Sequence, residues 1–328
     1  MESRCETAKL ISDMDIDSSS RINLRNIFNV TNIFFVLAII ITLIPGRQEK
    51  GAQYEMYLIS LLILIQLVYI AQSILKKNDE DTRKAPGDIA CVVYALLIVW
   101  EILTSKLDML QNLLFPVPGK VVITFIEDLP VFMECLFSSL KILSAGYILA
   151  LVIAIPLALI IGWRKRLYAA VNPMTKIVGP IPPTVYIPYA IAILPTFMMS
   201  SIFIIFVGAF WPVFINTLNG TFTVDKRLID SARVLNVSEK TMLFRIILPG
   251  ILPAIISGAT LGLVFSFILL TAAEMIGASS GLGWYVKYFS DFADYPRVVA
   301  GIVFIGITVT VITYFFEKIE KRLLKWRD

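Results

Sequence analysis

Two kinds of residue in this chain could carry chemistry. The first are single polar or proline residues set in long apolar runs: Lys141, Pro188, Pro195, Asn216, Thr217 and Glu274. An ionisable group in such a run is a functional candidate by default, because it is kept there against a desolvation cost. The second is a patterned polar segment, about residues 220–248, lying between two apolar runs. Neither kind makes a reaction centre. The chain has no His, which removes imidazole bases, His metal ligands and His-containing triads. Its three cysteines, Cys5, Cys91 and Cys135, are an odd number set far apart, and form neither a disulfide framework nor a zinc site. No G-x4-G-K-[ST] run is present, so the chain does not encode ATP hydrolysis of the usual kind. No cofactor or metal bound by this chain is expected. What remains is the binding and movement of a solute.

The elements that must hold these groups follow from composition. Of 328 residues, 57% are apolar and 16% are charged, against about 25% charged in a soluble domain. An all-α polytopic membrane protein is expected. A net charge of +4 without a dense basic face excludes a nucleic-acid binder. A spanning helix needs about 20 mostly apolar residues. Eight runs suit: Ile27–Pro45, Met56–Leu75, Ile89–Leu103, Ile142–Trp163, Val185–Met199, Ile202–Leu218, a helix from Ile251 within Ile246–Ala273, and Val298–Phe316. With a cytoplasmic N-terminus, 22 of the 29 Lys and Arg fall on the inner side and seven on the outer. That asymmetry places both termini in the cytoplasm of a multi-pass cell-membrane protein. The segment Met1–Asn26 lacks a signal-peptide pattern, so the first span is expected to be retained. Asn29-Val30-Thr31 and Asn219-Gly220-Thr221 fit the glycosylation pattern at span edges and read as chance matches.

The chain divides into residues 1–88, with two spans and a loop-forming linker Lys76–Asp88, and residues 89–328, with six spans. Thr104–Leu136, with Pro116, Pro118 and Pro130, reads as loop plus short helix. Val185–Met199 carries Pro188 and Pro195, and interrupted spans are tolerated where they line a cavity. It is the best pathway candidate, with Pro195 as kink or gate. Asn216 reads as a pathway group or a span-end cap, and Glu274 as a pathway acid or an interfacial one. Lys141 either faces an anion or snorkels. Gly258-x3-Gly262 gives a face for close helix packing.

Within 220–248, Leu228, Ile229, Ala232 and Leu235 recur at helical spacing, with Lys226, Arg227, Asp230 and Arg233 on the other face. Asn236 tolerates the left-handed conformation that ends helices. Ser238 can cap a second helix, with Glu239 in its first turn. Met242, Leu243, Ile246 and Ile247 continue the apolar stripe to Pro249. Two readings stand: a hairpin lying on lipid headgroups, or a docking element for a cytoplasmic partner.

The spacing Asp230-Ser231-Ala232, three residues, Asn236, nine residues, then Ile246, Leu248 and Pro249 resembles the E-A-A-x3-G-x9-I-x-L-P signature of ABC importer permeases. Ser139-Leu140-Lys141 is similar to that family's S-L-x-R span opening, and Ile181-Pro182-Pro183 through Ile187-Pro188 to its I-P-P-x-x-x-I-P run. Gly208-Ala209-Phe210-Trp211-Pro212 with Asn216-Thr217, and Ala273-Glu274-Met275-Ile276-Gly277 with Ser280-Gly281-Leu282-Gly283, resemble marks of its nitrate/sulfonate/taurine-type branch. Ile193-Leu194-Pro195 stands where that family usually has W-F-G. The likeness covers about residues 103–328.

The resemblance implies a six-span type I permease core with two extra N-terminal helices. Asp230, Ser231, Ala232, Asn236, Ile246, Leu248 and Pro249 would then belong to a coupling-helix pair seated in a separate ATPase subunit, which uses ATP and Mg. It further implies a second permease copy as a homodimer, an external solute-binding protein, and a small anion such as nitrate, a sulfonate or taurine. Permeases of this type also serve thiamine-precursor and riboflavin import. An arginine at Ala232 is expected to uncouple ATP hydrolysis from uptake while the spans stay folded. An ion-coupled secondary transporter would need mid-membrane ionisable groups and repeated halves, and neither is evident.

Overall fold

The computed structural model describes residues 30–45, 52–75, 80–107, 109–110 and 114–325. The N-terminal segment, the start of the first expected span, most of the Asn29-Val30-Thr31 match and residues 76–79 of the linker lie outside them or at their edge. All regular structure among the described residues is helical. Contacts group the chain into two compact units, Met1–Ile123 and Thr124–Asp328. Among the described residues, six helices are long and apolar enough to cross a membrane, and two shorter apolar helices, Val30–Leu43 and Pro183–Ile193, overlap the two remaining expected spans.

In the first unit, α1 (Val30–Leu43), α2 (Glu55–Leu75) and α3 (Glu80–Glu101) pack around Ala38, Leu58, Leu62, Ala90, Tyr94 and Ile98. A polar chain threads this core: Tyr94 donates to Gln66 Oε1 (3.0 Å), and Gln66 Nε2 donates to Asn32 Oδ1 (2.8 Å). The linker expectation is corrected, because α3 starts at Glu80 and carries Pro86 inside it. A proline early in a helix removes one hydrogen bond, and the apolar stripe Ala90, Tyr94, Ile98 outweighs that. Gly87 lets α1 approach closely. A Cβ there would lie 3.0 Å from Thr31 Oγ1, which donates to Gly87 O (3.3 Å).

α3 runs on into a π-turn, Ile102–Lys106, which presents Lys106 at the helix ends. Its ammonium donates to Thr42 O (3.0 Å) and Ile44 O (2.5 Å), at the end of α1, where helix carbonyls lack partners. It also lies 3.6 Å from Glu55, which opens α2, and 3.5 Å from Glu101, which closes α3. One half-buried cation thus ties three helices. Lys106→Met should cost about 3–5 kcal/mol, because it strands the buried Glu101 carboxylate. A lowered thermal midpoint in detergent, partly restored by adding Glu101→Gln, is the expected result.

α4 (Pro118–Glu127) runs through the boundary between the units, and α5 (Leu129–Trp163) follows. α5 has 35 residues, roughly 52 Å at 1.5 Å per residue, and begins well before the expected Ile142. Glu134 and Lys141 end the charge-free run but not the helix. Ser139-Leu140-Lys141 therefore lies inside a helix and does not open one. Next come α6 (Lys165–Val178), a 3-10 turn Pro183–Tyr186, α7 (Ile187–Ile193) and α8 (Phe197–Phe222). They are followed by α9 (Lys226–Val234), α10 (Glu239–Thr241), a π-turn Met242–Ile247 and α11 (Leu248–Gly250). α12 (Leu252–Gly277), α13 (Leu282–Asp291) and α14 (Tyr295–Leu323) complete the unit.

α8 is the hub of this second unit. α5 lies parallel to it along Gly146, Ala150, Ala154, Ala158 and Gly162, a small residue every fourth position, all buried. A Cβ on Gly146 would sit 2.8 Å from Ile202 O, and one on Gly162 would sit 2.7 Å from Thr221 Cβ. The contact thus runs about 24 Å without a bulky side chain between the backbones. α12 lies antiparallel on α8. There a Cβ on Gly258 would sit 2.9 Å from Pro212 O, and one on Gly262 3.2 Å from Ala209 O. Lipid tails are as apolar as leucine, so helices in a bilayer associate through close dispersion contacts and not by escaping water. α14 joins through Phe304, stacked on Phe132 of α5 at 4.7 Å. Ala154→Leu should force α5 from α8 and cost about 1–3 kcal/mol. Val152→Leu, at a position 63% exposed, should leave the melting temperature unchanged in the same assay.

Candidate functional site: the elbow and the broken span

The segment from Asp225 to Gly250 forms an elbow. The Asp225 carboxylate accepts from Arg227 N (2.9 Å) and caps α9. Asn236 ends it at φ 52°, in the left-handed region that its short side chain tolerates. Ser238 Oγ accepts from Thr241 N (3.4 Å) and opens α10. The sequence pattern and the local structure agree at Asn236 and Ser238, and the Asp225 cap is an addition from the structure.

The faces differ from expectation. Ala232, Met242, Ile247, Ile251 and Ile255 pack on Leu159 of α5 as one buried cluster, so the amphipathic stripe is consumed inside the chain. Ala232 is 5% exposed. It holds the elbow's inner face, and an arginine there would break that face open before it affected any partner. Leu228 and Leu235, expected on the apolar face, are exposed. The surface left outside carries Asp230, Ser231, Asn236 and Pro249 with Val234, Leu235 and Phe244, of which Val234 is 87% exposed. Ile246 and Leu248 are half-buried. Glu239 fastens the elbow to the end of α5. It pairs with Arg164 (2.8 Å) and accepts from Trp163 Nε1 (3.1 Å). Beside α9 opens a cavity of about 730 Å³, lined by Gly220, Asp225, Arg227, Ser231 and Gly250 among others.

The opposite end of the unit is organised by Glu274, which is 1% exposed. Its carboxylate accepts from Ser139 Oγ (2.6 Å) and Gly283 N (2.7 Å), and Ser139 Oγ in turn accepts from Leu282 N (2.9 Å). Gly281 has φ +126°, and a Cβ on it would collide with the Glu274 carboxylate. The Ser-Gly-Leu-Gly turn is therefore wrapped around a buried acid. Nearby, Asp128 accepts from Tyr285 Oη (2.5 Å) and Arg297 Nε (2.8 Å), and Arg297 Nη1 donates to Asp294 (2.8 Å). Burial and the hydrogen bond to Asp128 hold the Tyr285 phenol above its ordinary pKa, so it stays a donor.

The pathway candidates do not converge on one cluster. Lys141 is exposed on α5. Asn216 is no span-end cap: it lies within α8, donates to Pro212 O four residues back (2.8 Å) and backs onto Gly258. Thr217 is fully buried, and its hydroxyl has no partner among the described residues. Pro195 kinks no helix. It sits in the turn between α7 and α8, and Thr196 caps α8 by accepting from Met199 N (3.2 Å). The expected span Val185–Met199 thus ends at Ile193.

A longer element replaces it. α6, the 3-10 turn and α7 run antiparallel along α8 as one interrupted element in two pieces. Tyr168 stacks on Phe222 (3.8 Å) and donates to Asn219 Oδ1 (3.3 Å). A Cβ on Gly179 would lie 3.0 Å from Ile215, and one on Gly208 3.9 Å from Pro183. Ser200 Oγ donates to Ala190 O (3.0 Å). The break falls at Gly179–Pro182, between the two helices. Lys176 sits on α6 one turn before it. Gly281→Ala should cost about 1–3 kcal/mol of stability from backbone strain alone, and more from the collision. Gly306→Ala, with nothing within 4 Å, should be neutral or stabilising when both are melted side by side.

Comparison with known proteins bears on this geometry. The sequence pattern described as "Binding-protein-dependent transport system inner membrane component" matches residues 146–325. The chain is 30% identical over 269 residues to the putative aliphatic sulfonates transport permease protein SsuC of Bacillus subtilis, covering 79% of this chain and 96% of the relative. It is 29% identical over 258 residues to the nitrate import permease protein NrtB of Synechocystis sp., covering 75% and 92%. It is 28% identical over 252 residues to the taurine transport system permease protein TauC of Escherichia coli, covering 75% and 91%.

Proposed function

Because the chain belongs to the family of binding-protein-dependent transport inner membrane components, in its nitrate/sulfonate/taurine branch, we propose that it is one permease subunit of an ATP-driven importer. A second copy completes the pathway, a solute-binding protein delivers a small anionic solute from outside, and separate ATPase subunits supply ATP and Mg chemistry. The elbow and both termini face the cytoplasm. The spans of residues 1–88 are an addition to the six-span core of 89–328.

One observation carries this reading. The elbow presents Val234, Leu235 and Phe244 outward, while its inner face is fastened to α5 and α12 through Leu159, Ile251, Ile255 and the Glu239–Arg164 pair. A partner that moves the outer face must move the ends of both helices that flank α8. The chain then needs only differential affinity of that partner for two arrangements of the helices. The solute path runs beside the broken α6–α7 crossing, where interrupted backbone is tolerated at membrane depth.

The test replaces the outer face without touching the inner one. Leu235→Asp with Phe244→Asp should leave the melting temperature of the purified chain unchanged. Co-purification of the ATPase subunit and ATP-dependent uptake should both fall at least tenfold. Full retention of the ATPase by this variant would remove the elbow as the docking element. Uptake by the purified chain alone on an ion gradient would remove the importer reading altogether.

A further inference from the structure

We propose that the break in the α6–α7 crossing is a solute subsite that only accepts hydrogen bonds, and so takes the ammonium or other N–H-bearing end of the solute. This rests on the pathway reading above and narrows it to a substrate class. The break contains Pro180, Pro182 and Pro183, and proline has no N–H to donate. The amide that would bond the Lys176 carbonyl in a continuous helix belongs to Pro180, and the one for Gly179 belongs to Pro183. Among the described residues, no donor reaches the carbonyl oxygens of Gly179, Pro180 or Ile181, and no amide outside α6 reaches that of Lys176. Pro180, Ile181, Pro182, Thr184 and Val185 are exposed.

Depth makes these carbonyls informative. The break lies beside Gly208 and Ile215 of α8, inside a 26-residue apolar helix and away from both of its ends. Lipid offers no donor there, and an unpaired polar group costs several kcal/mol in hydrocarbon. Irregular backbone at this depth belongs against protein or a water-filled path. Bare carbonyls attract N–H groups and repel anions. Exposed Lys176, one turn away on the side of the elbow, offers the opposite sign. A zwitterion such as an aminosulfonate meets both charges. Nitrate meets only the lysine.

The test uses the importer assembled with its ATPase, the three native cysteines replaced by alanine, and Val185→Cys as reporter. A membrane-impermeant maleimide should label Val185→Cys, and failure to label would overturn the aqueous break. Taurine should slow labelling at a concentration at least tenfold lower than ethanesulfonate, which has a methyl group where taurine has an aminomethyl. Equal protection by the two, or protection by neither, would overturn the ammonium subsite. Pro180→Ala with Pro183→Ala returns both missing amides. This variant should erase the preference for taurine, and a preference that survived would also overturn it. ATPase co-purification, read in the same samples, reports on docking separately. Its loss in the unmodified chain would sink the importer reading and leave the labelling result standing.

Discussion

Close backbone approach along α8 is the constraint on which the second unit depends. In a bilayer, burying leucine against leucine gains little over burying it against lipid. What holds α5 and α12 to α8 is the absence of side chains at Gly146, Gly162, Gly258 and Gly262, with alanines filling the steps between the first two. The elbow, the Glu274 turn and the α6–α7 break are all hung from this three-helix stack. The elbow grips the ends of α5 and α12, the Glu274 turn ties α12 and α13 to Ser139 of α5, and the interrupted α6–α7 element lies along another face of α8.

Much of this was legible in the sequence, and the reasons for the rest are physical. Charge-free runs located the membrane helices because ions are expelled from hydrocarbon, but they set the wrong start for α5. A helix continues into water past Glu134 and Lys141 as easily as it stops. Pro86 and Gly87 read as a loop and are helix, since tertiary packing outweighs one lost hydrogen bond. Pro188 and Pro195 read as interruptions of one span, whereas the true interruption is the Pro180–Pro183 cluster. The elbow's local chemistry was readable to the residue at Asn236 and Ser238, because capping depends on near neighbours. Which face turned inward was not, because that depends on Leu159, far away in the chain. The Asp128–Tyr285–Arg297 network left no signal at all, as Asp128 lies more than 150 residues from both of its partners. The alanine and glycine stripe of α5 obeys the same small-residue rule as Gly258-x3-Gly262 and could have been found with it.

The two units solve the same problem with different means. The second sets small residues along its stack and gathers its buried acids, Glu274 and Asp128, at one end. The first sets a half-buried lysine, the buried Glu101, the half-buried Glu55 and the Tyr94–Gln66–Asn32 chain among three helices. Buried ions and amides are directional, so they fix register where smooth apolar surfaces would slide.

The bonds around Glu274 also set an order of assembly during synthesis. The α5–α8 stripe can zip together once residue 222 has entered the bilayer, before any of α12 exists. The Glu274 carboxylate and the Gly283 amide arrive only with α12 and α13, when the Ser139 hydroxyl is already in place to donate to the acid. The Asp128–Arg297 pair must wait longer still, for α14, so this end of the unit closes in two steps after the stripe has formed.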